Sequence, residues 1–235
     1  QKVILPETLV EIEYGAFASA YYLQEVNLPE GLKVIGKKAF ADCNLTKLIL
    51  PESLEQLGYH SFAGNEIREI TIPAGVDLVG AGSFAYCDEL TAIHVAAENG
   101  TYKSLEGVLF SADGKTLVAY PAAKGEKYDI PAGVEIVGDE AFRGNGTLTT
   151  LNFPEGLRVI DRLAFCDAKS LLYIKLPRSL EAIGNAAFGL SLFSFSHCLL
   201  HGTTHNFIGS VIHKCSVGIV IIYSFPSFQT IIFRL

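Results

Sequence analysis

The sequence contains no methionine and no tryptophan among its 235 residues, and only 18% of those residues are charged. An average soluble domain has roughly 25% charged residues, so the surface of this protein is sparsely charged. The net charge of −7 argues against a nucleic-acid partner, because binding to phosphates needs a basic face. Five cysteines are an odd number at modest density, which excludes a disulfide-rich scaffold.

Motifs for catalysis are missing as well. The chain has no glycine-rich phosphate loop and no Gly-x-Ser-x-Gly nucleophile elbow. His60 and His94 have no matched serine or cysteine in a recognisable motif, so we expect them at the surface or at strand edges. The pair Asp139–Glu140 falls in a predicted turn, where side chains are ordinarily solvated. We therefore predict a protein that is not an enzyme and holds no cofactor and no metal.

What the sequence does have is a repeat, marked by two ladders of residues. The proline ladder consists of Pro6, Pro29, Pro51, Pro73, Pro131, Pro154 and Pro177. The phenylalanine ladder consists of Phe17, Phe40, Phe62, Phe84, Phe142, Phe165 and Phe188. Both ladders advance by 23, 22, 22, 58, 23 and 23 residues, and the step of 58 is one coil plus an insertion of 35. A period in the low twenties is typical of a solenoid, so we predict seven coils with one interruption.

Each coil has the same internal pattern. Residues before the proline alternate between apolar and polar, as in Lys47–Leu50 and Glu69–Ile72, which predicts a short strand that the proline ends. A glycine that usually follows is expected to turn the backbone with a positive φ. These glycines are Gly36, Gly58, Gly80, Gly138 and Gly184. Because no coil can bury its own apolar side, stacking of identical positions is expected to build one continuous core.

Three cysteines, Cys43, Cys87 and Cys166, fall in the turn after the ladder phenylalanine. Their recurrence at this point indicates packing, since free cysteine behaves as a small apolar residue. Cys43 and Cys87 are two coils apart, about 10 Å at the usual spacing of strands, which is too far for a disulfide.

The coil pattern resembles the BspA-like class of leucine-rich repeat proteins. The string LPEGLKVIGKKAFADCNL at Leu28–Leu45 carries the resemblance, which is echoed at Ile72–Leu90 and Phe153–Leu171. It extends from about Leu5 to Phe188, although Glu13 and Asp161 stand where glycine is usual. The resemblance implies a non-catalytic adhesion module that is secreted or exposed at the cell surface, since many relatives are surface proteins of bacteria or microbial eukaryotes. The expected fold is a β-rich solenoid, a leucine-rich repeat of seven coils of 22–23 residues with one β-hairpin insertion, over residues 1–190.

The insertion covers about residues 96–129. Two apolar runs flank Asp113–Gly114, and this dipeptide between such runs is a strong hairpin signal. Relatives often carry a similar hairpin, with aspartate where this chain has Glu106. One interpretation is that the hairpin extends the sheet of the solenoid. The other is a projecting tip whose Tyr102, Lys103 and Lys124 contact a partner.

Residues 191–235 lack both the ladder pattern and any acidic residue. Three interpretations remain open: a β-rich cap on the solenoid, a membrane anchor, or a non-native end read out of frame. The anchor would use Cys215–Phe233, which is uncharged, and a membrane partner is expected only in that case. The only metal-like spacing of the chain also lies in this segment, and it fits no recognised zinc finger. Its residues are His197, Cys198, His201, His205, His213 and Cys215.

Residues four and two positions before each proline are expected to point outward from the strands. This outward stripe comprises Glu25, Asn27, Lys47, Ile49, Glu69, Thr71, Lys127, Asp129, Thr150, Asn152, Tyr173 and Lys175. The candidate partner-binding residues are Glu25, Lys47, Glu69, Lys127, Thr150, Asn152, Tyr173 and Lys175. We predict an extracellular or cell-surface module that presents this stripe to a protein or cell-surface ligand. The alternatives are a structural spacer for another domain and, less favoured, a metal-dependent activity of the final segment.

Overall fold

Two rows of parallel strands wind the chain into a β-solenoid. The structure, a computed structural model, describes residues 1–191 apart from the side chain of Tyr173, and beyond them the backbone of three short strands. The longer strands precede the prolines, except that β8 is followed by Ala96: β1 (Lys2–Ile4), β3 (Glu25–Asn27), β6 (Glu69–Ile72), β8 (Ala92–Val95), β12 (Lys127–Asp129), β14 (Thr150–Asn152) and β16 (Tyr173–Lys175). The shorter strands follow them: β2 (Glu11–Ile12), β4 (Val34–Ile35), β5 (Gln56–Leu57), β7 (Leu78–Val79), β13 (Ile136–Val137), β15 (Val159–Ile160) and β17 (Ala182–Ile183). This arrangement confirms the predicted repeat solenoid.

The longer strands form sheets in the orders β1-β3, β6-β8 and β12-β14-β16, and the shorter strands from the amino terminus form the order β2-β4-β5-β7. The stretch at Lys47–Leu50 is an exception to the prediction, because no strand is formed there. Its side chains still alternate, with Leu48 and Leu50 buried and Lys47 and Ile49 exposed. Alternation fixes the direction of side chains, whereas a strand also needs hydrogen-bonded neighbours.

The ladder phenylalanines form the core. Successive rings from Phe17 to Phe84 are stacked with centroids 5.0, 5.5 and 6.3 Å apart. Rings from Phe142 to Phe188 are stacked at 4.8 and 5.1 Å. Offset aromatic stacking at these distances adds to the free energy gained from burial, so each ring stabilises both neighbouring coils.

Every phenylalanine turn has two residues in the left-handed conformation, two positions before and two after the ladder residue. The first set is Gly15, Lys38, His60, Gly82, Glu140, Leu163 and Ala186, with φ from 53° to 66°. The second set is Ser19, Asp42, Gly64, Tyr86, Gly144, Asp167 and Leu190, with φ from 54° to 74°. Backbone bonds such as Phe17 N to Ala39 O (2.8 Å) and Phe40 N to Ser61 O (2.8 Å) join successive turns.

The prediction of positive φ at the recurrent glycines is wrong. None of these glycines, of which Gly58 is typical, is left-handed; a Cβ atom on Gly58 would lie 2.4 Å from Lys37 N in the preceding coil. Real Cβ atoms do not approach backbone this closely, so glycine is needed for the contact between coils. The left-handed positions lie two residues further on.

The insertion confirms the predicted hairpin and extends the solenoid. It contains β9 (Tyr102–Leu105), β10 (Val108–Ser111) and β11 (Thr116–Ala119), in the sheet order β17-β15-β13-β11-β10-β9. Strands β10 and β11 are antiparallel around Asp113–Gly114, and β11 pairs in parallel with β13. Tyr120 follows β11, and its ring stacks on Phe142 with centroids 4.7 Å apart, so Tyr120 takes the place of a ladder phenylalanine. The insertion therefore supplies a partial coil in addition to the seven predicted.

The predicted projecting tip is not what the structure shows at Tyr102 and Lys124. The Tyr102 hydroxyl accepts a hydrogen bond of 2.9 Å from Val79 N, at the edge strand β7 of its sheet. The Lys124 ammonium donates to the Glu106 carbonyl. Both side chains are only partly exposed, while Lys103 is exposed. The hairpin is thus bound to the coil before it.

A junction divides the interior where this partial coil enters. One core cluster runs from Leu5 to Ile93 and includes Leu109, and the other runs from Val108 to Phe188. Among the described residues, no backbone hydrogen bond joins the turn of Phe84 directly to the turn of Phe142. Side chains connect the two turns instead.

The final segment forms three antiparallel strands in the order β18-β19-β20: β18 (His213–Cys215), β19 (Gly218–Ile221) and β20 (Ile232–Arg234). The cap, anchor and non-native interpretations and the histidine–cysteine spacing rest on side chains, and mostly on backbone, outside the described part of the chain, and they stay predictions. Over the part of the chain that is described, no helix is long and apolar enough to cross a membrane.

Candidate functional site

The strand face, formed by the outward residues of the longer strands, is where most of the predicted site residues lie. Glu25 is in β3, Glu69 in β6, Lys127 in β12, Thr150 and Asn152 in β14, and Tyr173 and Lys175 in β16. Lys47 lies outside any strand. Of the eight residues, the seven with described side chains are exposed; the side chain of Tyr173 lies outside the described part.

In the carboxyl-terminal coils the predicted residues are brought into direct register. Lys127 pairs with Thr150 and Thr150 with Tyr173 across the parallel strands, and Asn152 pairs with Lys175. Asn152 Nδ2 donates to Asp129 Oδ1 at 2.6 Å. This half of the strand face is polar.

In the amino-terminal coils the strand face opens into a shallow groove of about 460 Å³. The groove brings together Glu25 and Lys47, two of the predicted site residues, with the apolar residues Val26, Leu28 and Ile49. Ile49 is 71% exposed, which is unusual for a large aliphatic side chain. The groove lies beside Lys47–Leu50, where the alternation predicted a strand and the structure forms none, so the pattern found these residues but not the groove.

In the first four coils, the charges on the strand face alternate in sign from one coil to the next. The row four positions before each proline begins Lys2, Glu25, Lys47 and Glu69, and Lys2 Nζ lies 3.4 Å from Glu25 Oε2. His94 Nε2 lies 3.7 Å from Glu69 Oε2. Such exposed pairs contribute about 0–1 kcal/mol each, so they favour the register of the coils without fixing the fold.

A charged cluster at the junction was missed by the sequence analysis. Glu140, expected in a solvated turn, is only 4% exposed. Its carboxylate contacts His60 Nε2 and lies 2.9 Å from Arg143 Nη1. Burial alone would raise the pKa of Glu140, but the hydrogen bonds from His60 and Arg143 outweigh it and hold the pKa below its ordinary value. The partners are 80 and 3 residues away, so the sequence carries no signal for the first contact.

The cluster continues across the turns. The Arg143 guanidinium lies 5.7 Å from the centroid of the Tyr86 ring, and the Tyr86 hydroxyl donates to Asp167 Oδ2 at 3.1 Å. A Cβ atom on Gly144 would lie 2.4 Å from the Tyr86 ring, so the absence of a side chain there makes room for the tyrosine. The cluster thus connects the turns of Phe84 and Phe142, which no backbone hydrogen bond joins directly among the described residues.

The three cysteines of the repeat are buried and free, and their packing role is confirmed. Cys43 Sγ donates to Phe17 O at 3.1 Å and Cys87 Sγ to Phe62 O at 3.3 Å, so each contacts the preceding coil. Burial raises the pKa of Cys87 to about 12, which keeps the thiol protonated and unreactive. Within residues 1–191, no group of three or more His, Cys, Asp or Glu side chains is arranged to hold a metal ion.

Known proteins that resemble this chain in sequence or in structure are leucine-rich repeat proteins, in agreement with the solenoid fold. A family model described as a BspA-type leucine-rich repeat region matches residues 1–111 and 119–234, in six copies. A leucine-rich repeat protein from Eubacterium ventriosum superposes with a TM-score of 0.74 at 27% identity, covering 82% of this chain and 53% of that one. The pneumococcal vaccine antigen PcpA has a TM-score of 0.62 at 23% identity, covering 79% and 58%. A leucine-rich cell-surface protein from Faecalibacterium prausnitzii has a TM-score of 0.48 at 21% identity, covering 80% and 69%.

This chain spans little more than half the length of the first two of these proteins. No curated protein sequence matches it. The family model covers most of the sequence, and the stacked coils with their phenylalanine and proline ladders are the structure that this family's repeat encodes. The chain belongs to the BspA-type leucine-rich repeat family.

Proposed function

We propose that the protein is a non-catalytic binding module, secreted or exposed at a cell surface, that binds a protein partner through its strand face. The groove beside Glu25, Lys47 and Ile49 carries this proposal, because it combines opposite charges with an exposed aliphatic side chain. Interfaces characteristically place a buried apolar anchor inside a polar rim. The membership of a repeat family and the length of the strand face support the same function.

Binding of the purified chain to a panel of matrix proteins and neighbouring cells tests the proposal. We expect at least one partner, and we expect Ile49→Asn to weaken its binding by about tenfold or more, as for loss of an interface anchor. Leu105→Asn is the matched control, since Leu105 is an exposed leucine (45%) on the hairpin. No binding across the panel, or equal binding by both variants, would contradict the proposal.

A structural spacer is the second candidate, and the charge pairs between coils favour it. Lys33 Nζ lies 2.7 Å from Glu55 Oε1, and Arg158 Nε lies 2.8 Å from Glu181 Oε1, so much surface charge is used between neighbouring coils. A spacer would tolerate scrambling of the whole strand face. If binding to cells survives that scrambling, the spacer is the better account.

A further inference from the structure

A second surface of the solenoid carries side chains without partners. Tyr14, Lys37 and Tyr59 each stand three residues before a ladder phenylalanine, in successive coils, and Lys38 follows Lys37. We call these four residues the turn ridge. Tyr14 is 69% exposed and Tyr59 is 50% exposed, and both lysines are exposed.

The backbone places the ridge residues directly above one another. Gly15 N donates to Lys37 O at 3.0 Å, and Lys38 N donates to Tyr59 O at 2.9 Å. The rings of Phe17, Phe40 and Phe62 in the same turns are 5.0 and 5.5 Å apart, so two tyrosines stand about 10 Å apart with a lysine between them.

The ridge differs in its ion pairing from the equivalent positions before the ladder phenylalanines of later coils. There, Arg162 Nη2 lies 2.7 Å from Asp139 Oδ2, and Glu140 is buried against Arg143. In the ridge, by contrast, neither lysine side chain has an ion pair and neither tyrosine hydroxyl has a hydrogen bond, within the residues that the structure describes. Glu13, Asp42 and Glu55 are the acidic residues nearest to the ridge in sequence, and among the described residues none of them forms an ion pair with Lys37 or Lys38.

We propose that the turn ridge binds a short acidic segment of a partner protein. Two unpaired ammonium groups supply charge-assisted hydrogen bonds to carboxylates, and the flanking tyrosines supply flat apolar surface with hydroxyl donors. The lysines repel a basic segment. The net charge of −7 repels a long polyanion, whereas a short acidic segment meets mainly the local positive charge.

This inference rests on the proposed function only in taking the partner to be a protein; it concerns a different surface. The test is fluorescence anisotropy of the full chain with a labelled peptide of alternating glutamate and phenylalanine, beside the same peptide with lysine in place of glutamate. We expect the acidic peptide alone to bind, more weakly at high salt. The double variant Lys37→Glu, Lys38→Glu and the variant Tyr59→Ser should each weaken binding by about tenfold or more.

The matched control is Lys127→Glu with Lys175→Glu, which reverses two exposed lysines of the strand face. Circular dichroism melts confirm that every variant is folded. The inference is overturned if the acidic peptide does not bind, if the control variant loses as much affinity as the ridge variant, or if a heparin-derived oligosaccharide binds the ridge in preference to the peptide. Ile49→Asn in the same assay separates the two proposals, since it should leave peptide binding unchanged.

Discussion

Glycine recurs in this repeat because neighbouring coils approach closely. A Cβ atom on Gly80 would lie 2.4 Å from Tyr59 N, and one on Gly184 would lie 2.4 Å from Arg162 N. Left-handed positions, in contrast, are occupied by residues as different as Lys38 and Leu163. The glycine pattern therefore reports contact between backbones, and the turn itself tolerates many side chains.

The first prediction concerns this contact. Gly58→Ala should lower the free energy of unfolding by about 2 kcal/mol or more, because its Cβ would be forced against Lys37 N at 2.4 Å. Gly146→Ala is the control, since nothing lies within 4 Å of its Cβ and its φ is not left-handed; it should change stability by less than about 1 kcal/mol. Urea denaturation measures both. Equal effects would show that the close contact is not what requires glycine.

The second prediction concerns Glu140 at the junction. Glu140→Gln should cost about 1–3 kcal/mol near neutral pH, because the buried carboxylate is paired with Arg143 and His60. The pKa of Glu140 is lowered in the folded state, so its contribution is present above its unfolded pKa and is lost as pH falls through the folded value. The difference between wild type and variant should therefore shrink below about pH 4.5. Glu52→Gln, at an exposed site, should show no such convergence.

At the scale of elements, the insertion supplies hydrogen bonds to the edge strand β7, which has no further strand beside it in its sheet because the repeat is interrupted there. Strand β7 is the last of its sheet, and the Tyr102 hydroxyl accepts from its Val79 N–H. Asn99 Nδ2 donates to Pro73 O at 2.8 Å and to Val76 O at 2.9 Å. Edge groups left unpaired in the interior are costly, so these side chains stabilise the end of the sheet.

The third prediction follows from that edge. Tyr102→Phe should destabilise the protein by about 1 kcal/mol, because Val79 N loses its acceptor while the ring keeps its packing. Tyr22→Phe, at a site 77% exposed, should have almost no effect. Thermal melts of the two variants make the comparison. An unchanged melting temperature for Tyr102→Phe would show that water replaces the hydroxyl there.

The coils can be predicted well from sequence alone, because the buried side chains recur at the same positions of each coil as the proline and phenylalanine ladders. Phe40, Phe62 and Phe165 are fully buried, as their places in the ladder require. The contact of His60 with Glu140 could not be predicted, because it depends on how a partial coil fits between two turns. The groove also escaped prediction, since Lys47 and Ile49 have the alternation of a strand without its hydrogen bonds.

At the scale of the whole molecule, a core substitution in one cluster should lower hydrogen-exchange protection mainly in that cluster. Phe165→Ala should lower hydrogen-exchange protection of backbone amides in residues 130–190 by about 3–5 kcal/mol. Amides in residues 12–80 should keep most of their protection, because each coil contacts only its neighbours and the junction separates the clusters. Phe40→Ala is the matched variant and should give the reverse pattern. Equal loss in both regions would contradict the division.

The junction also sets how the molecule would behave when pulled. The backbone hydrogen bonds between coils run along the long axis of the solenoid, so tension applied at its two ends would load every row at once and open the weakest row first. We expect the first yielding at the junction, where side chains stand in for a row of backbone bonds between two turns. Each coil released would then lengthen the chain by about 70–80 Å, at 3.3–3.6 Å per extended residue. A module anchored at one end and bound to a partner at the other would therefore extend in steps, coil by coil, before the partner dissociated.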